Sequence, residues 1–173
     1  GITLTGALTN TSTGTLDVLH SLALSNFTAN AGRITLTNSA TLSNSNANLS
    51  NTGTIQGVGT INLGAGKALT NQGTLAAGNS PGTLNITGDL VLDGVNGSIT
   101  DIEIGGLTAG TQFDVINVTG QVRGGAGNVN DWGTVNVTHV NSFTPGAGNT
   151  FQVMNFASRI GDFTTANTPL GSS

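Results

Sequence analysis

The chain has 173 residues, enough for one domain or one continuous stack of repeats, and only 7 % of them are charged, against about 25 % in ordinary soluble domains. Its four cations, Arg33, Lys67, Arg123 and Arg159, are scattered through a chain of net charge −4, which excludes an assembled cationic surface for nucleic acid or anionic membrane. The absence of cysteine excludes a disulfide framework, a thiolate zinc site and a thiol nucleophile.

Thr, Ser, Asn and Gly together fill 89 positions. Gly, Asn and Thr are poor helix formers, Thr suits strands, and the chain therefore reads as strands and turns with almost no α-helix. No apolar run approaches the length of a membrane span, so no membrane insertion is expected of this segment. The cysteine-free, Lys-poor composition is expected outside the cell. Gly1 falls in mid-pattern, so the chain reads as a piece of something longer.

In chain order, apolar residues alternate with Thr or Asn at Ile2-Thr3-Leu4-Thr5, and again at 34–37, 61–63, 84–87, 90–92, 99–104 and 135–137. This is the period of half-buried strands. A phrase returns with them. Leu-[Ser/Thr]-Asn stands at 8–10, 24–26, 36–38, 42–44, 49–51 and 69–71, and three copies run on to Gly-Thr-aliphatic: "LTNTSTGTL", "LSNTGTI" and "LTNQGTL". The last two start at 49 and 69. A period of about 20 fits one turn of a β-solenoid, three short strands that bury their apolar faces only against the turns above and below. Leu and Ile, Leu84 and Ile102 among them, are expected to point inward. Asn10, Asn51 and Asn71 are expected at corners in the left-handed region, with glycine supplying positive φ. Asn79-Ser80-Pro81-Gly82 reads as a turn. At about 4.8 Å per stacked strand, roughly eight turns of chain make a rod about 40 Å long. The competing all-β reading is a sandwich or jelly roll.

After residue 94 the strands lengthen, five of the eight acids appear, and six of the seven aromatics arrive: Phe113, Trp132, Phe143, Phe151, Phe156 and Phe163. Bulky rings can close an apolar stack that would otherwise end on bare leucine. The organisation expected is β-solenoid repeats over 1–94, a C-terminal solenoid or capping segment over 95–165, and an extended polar tail over 166–173.

The phrases "GTLAAGNSPGTLNITGDLVL" (73–92), "IEIGGLTAGTQFDVINVTGQV" (102–122), "GTVNVTHVNSFTPGAGNTFQVMNF" (133–156) and "GDF" (161–163) stand in the order of a pattern found in large bacterial surface proteins. Over a little more than half its length the chain resembles the autotransporter and haemagglutinin-like adhesins with β-helical passengers. The resemblance implies an all-β, right-handed parallel β-helix. It speaks to architecture rather than to an active site, and any translocation barrel would lie outside these residues.

Candidate chemistry is sparse. Asp114 fits the family's Thr-Gln-Phe-Asp phrase and reads as a turn or backbone-capping acid. Asp101 and Glu103 share a strand face opposite Ile102 and Ile104; paired carboxylates could serve a glycan hydrolase or hold calcium, but a solvated strand face is the plainer reading. Asp89 and Asp93 with Asn85 match neither the EF-hand nor the nonapeptide calcium spacing. His20 and His139 stand apart without flanking acids. Trp132, with Asp131 beside it, could stack on a sugar, while packing is the commoner role of a lone aromatic. No catalytic, cofactor or metal residues are expected. The function expected is a non-catalytic structural or adhesive module of a bacterial surface protein, extracellular, possible as a filament subunit. Its partners would be homotypic, end to end or by strand exchange, and surface glycans. The alternatives are a glycan- or ice-binding solenoid, or a polysaccharide-cleaving enzyme.

Overall fold

The computed structural model describes residues 2–4, 8–44, 47–78 and 80–169, and among them it is all-β with no α-helix. Thr5, Asn79 and tail residues 170–173 lie outside the described residues. In chain order the strands are β1 (Ile2–Leu4), β2 (Leu8–Asn10), β3 (Thr15–Val18), β4 (Leu22–Leu24), β5 (Phe27–Asn30), β6 (Arg33–Asn44) and β7 (Leu49–Asn51). Next come β8 (Thr54–Asn62), β9 (Ala68–Asn71), β10 (Thr74–Ala76), β11 (Thr83–Thr87), β12 (Asp89–Leu92) and β13 (Ile99–Ile104). The last are β14 (Val115–Val118), β15 (Gln121–Gly124), β16 (Thr134–His139), β17 (Met154–Asn155), β18 (Ser158–Ile160) and β19 (Thr165–Asn167).

Strands far apart in sequence are neighbours, and their pairings are parallel. A twelve-stranded sheet curls strongly, as a half-barrel. Within it β3, β6, β8, β10, β13, β16 and β19 form one ladder. The strands β6 and β8 bend part-way and also enter a second ladder, β1, β4, β6, β8, β11, β14 and β17. The third ladder is a separate seven-stranded sheet, β2, β5, β7, β9, β12, β15 and β18. The bend in β6 falls at Asn38 and Ser39, both at positive φ (56° and 58°). An equivalent pair, Asn141 and Ser142, turns the chain after β16. In each ladder, strand order follows chain order, so the chain returns to each ladder in turn, once per pass.

Alternation within strands decides what is buried. The repeat phrases lie on one another: Leu49 pairs Leu69, Ser50 pairs Thr70, and Asn51 pairs Asn71. Leu69 then pairs Leu90, and Leu90 pairs Val122. A second inward column is Ile34, Ile55 and Leu75; a third is Leu42, Ile61, Ile86 and Val118. The leucine, isoleucine and valine side chains of these columns are buried, each contributing about 1.5–3 kcal/mol of transfer free energy. Leu84 and Ile102 are buried as well.

The sequence expectations need two corrections. The seven-stranded sheet falls short of the roughly eight turns that the uniform period implies, because later passes are longer: side-chain bonds between adjacent passes span 20 or 21 residues early and 32 to 38 late. The corner roles also differ. Asn10, Asn51 and Asn71 are not at positive φ; with Asn30 they turn inward and form a continuous amide ladder. Asn10 Nδ2 donates to Asn30 Oδ1 (2.7 Å), Asn30 to Asn51 (2.6 Å), Asn51 to Asn71 (2.7 Å), and Asn71 to the Ser98 hydroxyl (3.0 Å). Each of the inner amides also bonds a nearby glycine carbonyl (Asn51 to Gly53, 3.2 Å) and a carbonyl of the following pass (Asn51 to Thr74, 3.3 Å). The glycine two residues on is needed for close approach, since a Cβ on Gly53 would overlap the Gly32 carbonyl oxygen and one on Gly73 that of Gly53.

Candidate functional site

The C-terminal passes gather most of the acids and aromatics. Trp132 is 2 % exposed. Its indole N–H donates to the Ile160 carbonyl at 2.7 Å, and its ring meets Phe163 and Phe156 edge to face, with centroids 5.4 and 6.1 Å away. A ring so enclosed offers no face to a sugar, which corrects the stacking role entertained for it; Trp132 pins the last pass instead. Asp131 works alongside. Its Oδ1 accepts from the Gly133 N–H and the Thr164 hydroxyl, both at 2.8 Å. At the adjoining corner Phe113, Phe151 and Phe143 form a second edge-to-face chain.

Asp114 is buried although it is an acid. Its Oδ1 accepts from the Gly82 N–H and its Oδ2 from the Glu103 N–H, both at 2.8 Å. Burial pushes its carboxyl up to about 6, the two N–H donors pull against that rise, and the charge of Glu103 adds to it. The side chain fastens the Pro81-Gly82 turn to β13, a backbone-capping geometry.

The other acids do not converge. Along β13 Thr100, Ile102 and Ile104 are buried, with Asp101 and Glu103 on the opposite face. Asp101 Oδ1 accepts from Asn136 Nδ2 at 2.8 Å, and Asn136 in turn accepts from Asn167. The carboxylate is thus the end of an outer amide ladder rather than a free acid. Asn85, Asn117 and Asn155 form another such ladder on the second face. Asp89 accepts from the Gln121 N–H. Asp93 is buried, its Oδ2 accepting from Gln72 and Asn96 while its Oδ1 has no partner among the described residues. Among those residues no three His, Asp or Glu side chains come together as a metal-ligand group. His20 lies just after β3 and His139 ends β16, and five pairings separate these two strands in their ladder.

Among the described residues, two of the grooves are broad enough to consider. One, about 530 Å³, lies between the end of β16 and the 145–149 loop, with Ile104, Val137 and Phe151 as its apolar wall and His139, Asn149 and Thr168 as polar groups. The other, about 410 Å³, runs over the glycine corner past Thr15, Arg33 and Thr54. Neither holds the paired acid and base that hydrolysis needs. No protein-family model, curated protein or solved structure matches the chain.

Sequence reasoning overlooked Asn30, because "FTAN" departs from Leu-[Ser/Thr]-Asn. The signal that finds it is Asn-x-Gly, shared by 30–32, 51–53 and 71–73.

Proposed function

We propose that these residues form a right-handed parallel β-helix serving as a non-catalytic structural or adhesive module of a bacterial surface protein, outside the cell. The observation that carries this reading is the Asn10–Asn30–Asn51–Asn71 ladder, buried from Asn30 onward, which ties successive passes in register. Such a ladder stiffens a stack and leaves nothing in it to do chemistry. The low charge, the absence of cysteine and the resemblance of residues 73–165 to adhesin passengers support the same conclusion. Its partners on this reading are copies of itself and surface glycans. A filament subunit is the polymeric version of the same proposal.

The deciding experiment is negative-stain electron microscopy over a dilution series, with binding to a neutral and an acidic glycan measured in parallel. Short rods about 34 Å long, the height of seven passes at about 4.8 Å each, fit the module; filaments that persist on dilution fit the polymer. Compact spheres would refute both.

A second reading has its own observation. The outward column Thr15, Arg33, Thr54, Thr74, Ile99, Thr134, Thr165 is mostly threonine in strand register, a surface on which water or a glycan could lie. Thermal hysteresis would establish the first and its absence would remove it.

A further inference from the structure

We propose that the groove over the glycine corner binds a sparsely charged glycan at one carboxylate-bearing sugar. The Arg33 guanidinium takes the carboxylate, and hydroxyls on either side of it take those of the sugar. The proposal deepens the glycan partner named above and rests on that reading.

The groove is a product of the stacked strands. Its floor is a glycine column: the Gly14 carbonyl oxygen lies where a Cβ on Gly32 would fall, and the Gly32 carbonyl oxygen where one on Gly53 would, so no side chain rises from the floor. The same two carbonyls take the Arg33 and Thr54 N–H groups, each at 2.9 Å. These backbone groups are already spent, which disfavours an extended peptide, since a peptide docks by pairing with free N–H and C=O groups. What the lining offers instead is hydroxyl, from Ser12, Thr13, Thr15 and Thr54. Each is donor and acceptor at once, the chemistry that a sugar presents.

Arg33 supplies the charge. In register it stands between Thr15 on one neighbouring strand and Thr54 on the other, about 4.8 Å from each across the sheet. Arg33 is exposed, and among the described residues its guanidinium has no hydrogen-bond or ion-pair partner. By contrast, Arg123 bonds the Gly124 carbonyl and Arg159 pairs with Asp162. A free guanidinium fork takes a carboxylate through two parallel N–H···O bonds. The ligand has to carry few charges. Asp17, the one acid on β3, β6 and β8, lies two residues beyond Thr15 on the same face, and the net charge of the chain is −4. A polyanion would meet one cation and then repulsion.

The test follows backbone amide NMR signals while the chain is titrated, at fixed ionic strength, with four probes: an oligosaccharide ending in one glucuronate, its methyl ester, a sulfated polysaccharide, and a short neutral peptide with a free C-terminal carboxylate. The glucuronate oligosaccharide is expected to bind with a Kd of about 1 mM and to move the Gly32 and Gly53 signals, and esterification or Arg33→Gln to weaken it at least about tenfold. Arg33→Lys, which keeps the charge and loses the fork, should fall between, and Asp17→Asn should bind more tightly. Equal binding of the ester, the peptide or the polyanion overturns the proposal, and so does binding that leaves the two glycine signals still. The ester comparison uses the unsubstituted chain, so folding of a variant does not enter it. Electron microscopy of the same sample separates the two levels: rods that bind no sugar refute the groove alone, whereas compact spheres refute the module and the groove with it.

Discussion

Replacing Asn51 with leucine removes the centre of the inner amide ladder without disturbing its shape, because the ladder position two passes on is already Leu92, paired to Asn71. Asn51 Oδ1 takes the Asn30 amide at 2.6 Å, and its Nδ2 is the donor to Asn71 Oδ1 at 2.7 Å. After the change Asn30 keeps the Gly32 and Thr54 carbonyls, so its loss is one bond, about 1 kcal/mol. Asn71 Oδ1 is left buried without that donor, which costs about 1–3 kcal/mol. Removing the buried amide and adding apolar contact offsets about 1 kcal/mol, for a net destabilisation of about 2 kcal/mol. Asn51→Asp should cost more than about 4 kcal/mol, since one oxygen of the buried carboxylate keeps the Asn30 donor while the other is set against three acceptors, the Gly53, Thr74 and Asn71 oxygens. Asn10→Leu, at the partly exposed end of the ladder, should cost under about 1 kcal/mol. Urea unfolding followed by circular dichroism measures all three. If Asn51→Leu lay within about 0.5 kcal/mol of the unsubstituted chain, or Asn10→Leu cost as much, the ladder would not be the stabilising element described.

Gly53→Ala should destabilise by about 3 kcal/mol or more, because its Cβ overlaps the Gly32 backbone carbonyl; Gly64→Ala, with open space but φ of 85°, should cost about 1 kcal/mol, and thermal melts that rank them the other way would remove the close-packing argument. Thr100→Val should stabilise by about 1 kcal/mol, since the Thr100 hydroxyl is buried without a partner among the described residues; a destabilised variant would show that the hydroxyl is satisfied in solution. Asp114 predicts a pH dependence. Its folded-state carboxyl, raised to about 6, binds a proton more tightly than in the unfolded chain, so stability is greatest below the ordinary aspartate range, falls by about 2–3 kcal/mol as pH climbs to about 6, and is flat above that. Asp114→Asn should flatten the profile, and an unchanged slope in urea titrations from pH 4 to 7 would assign it to another group.

Much of this architecture is legible in the residues, and what is not has a physical cause. Two-residue alternation finds the strands, and the phrase at 49–55 and 69–75 gives the register in which β7 and β9 pair. The sequence misleads on Asn10, Asn51 and Asn71 because asparagine's tolerance of the left-handed region is a local property, whereas its use here, bonding the asparagine about 20 positions on, is a property of the stacked strands. Among the non-glycine residues described, positive φ falls to Asn38, Ser39, Asn141 and Ser142, and of these only Asn38 belongs to a copy of the repeat phrase. The length of the later passes is hidden for a related reason: after residue 94 register is kept by outer pairs such as Asn136 on Asp101, 35 residues apart, and no shared phrase marks them. Trp132 illustrates the limit for sites, since a tryptophan beside an aspartate in a polar loop has one spelling whether its ring lies out or in.

The ladders also determine how the molecule would bear a load. Each pass is bonded to the pass before and the pass after, so a pull on the two ends of the chain falls on the outermost pass alone and peels it like the first stitch of a knitted edge. A freed pass of 20 residues releases about 70 Å of extended chain, and the longer passes near the other end release more. Single-molecule pulling should therefore show a staircase of such steps rather than one rupture. Tethered this way, the ladders would yield gradually under shear and re-form from the strands still in register, behaving less as a strut than as a shock absorber.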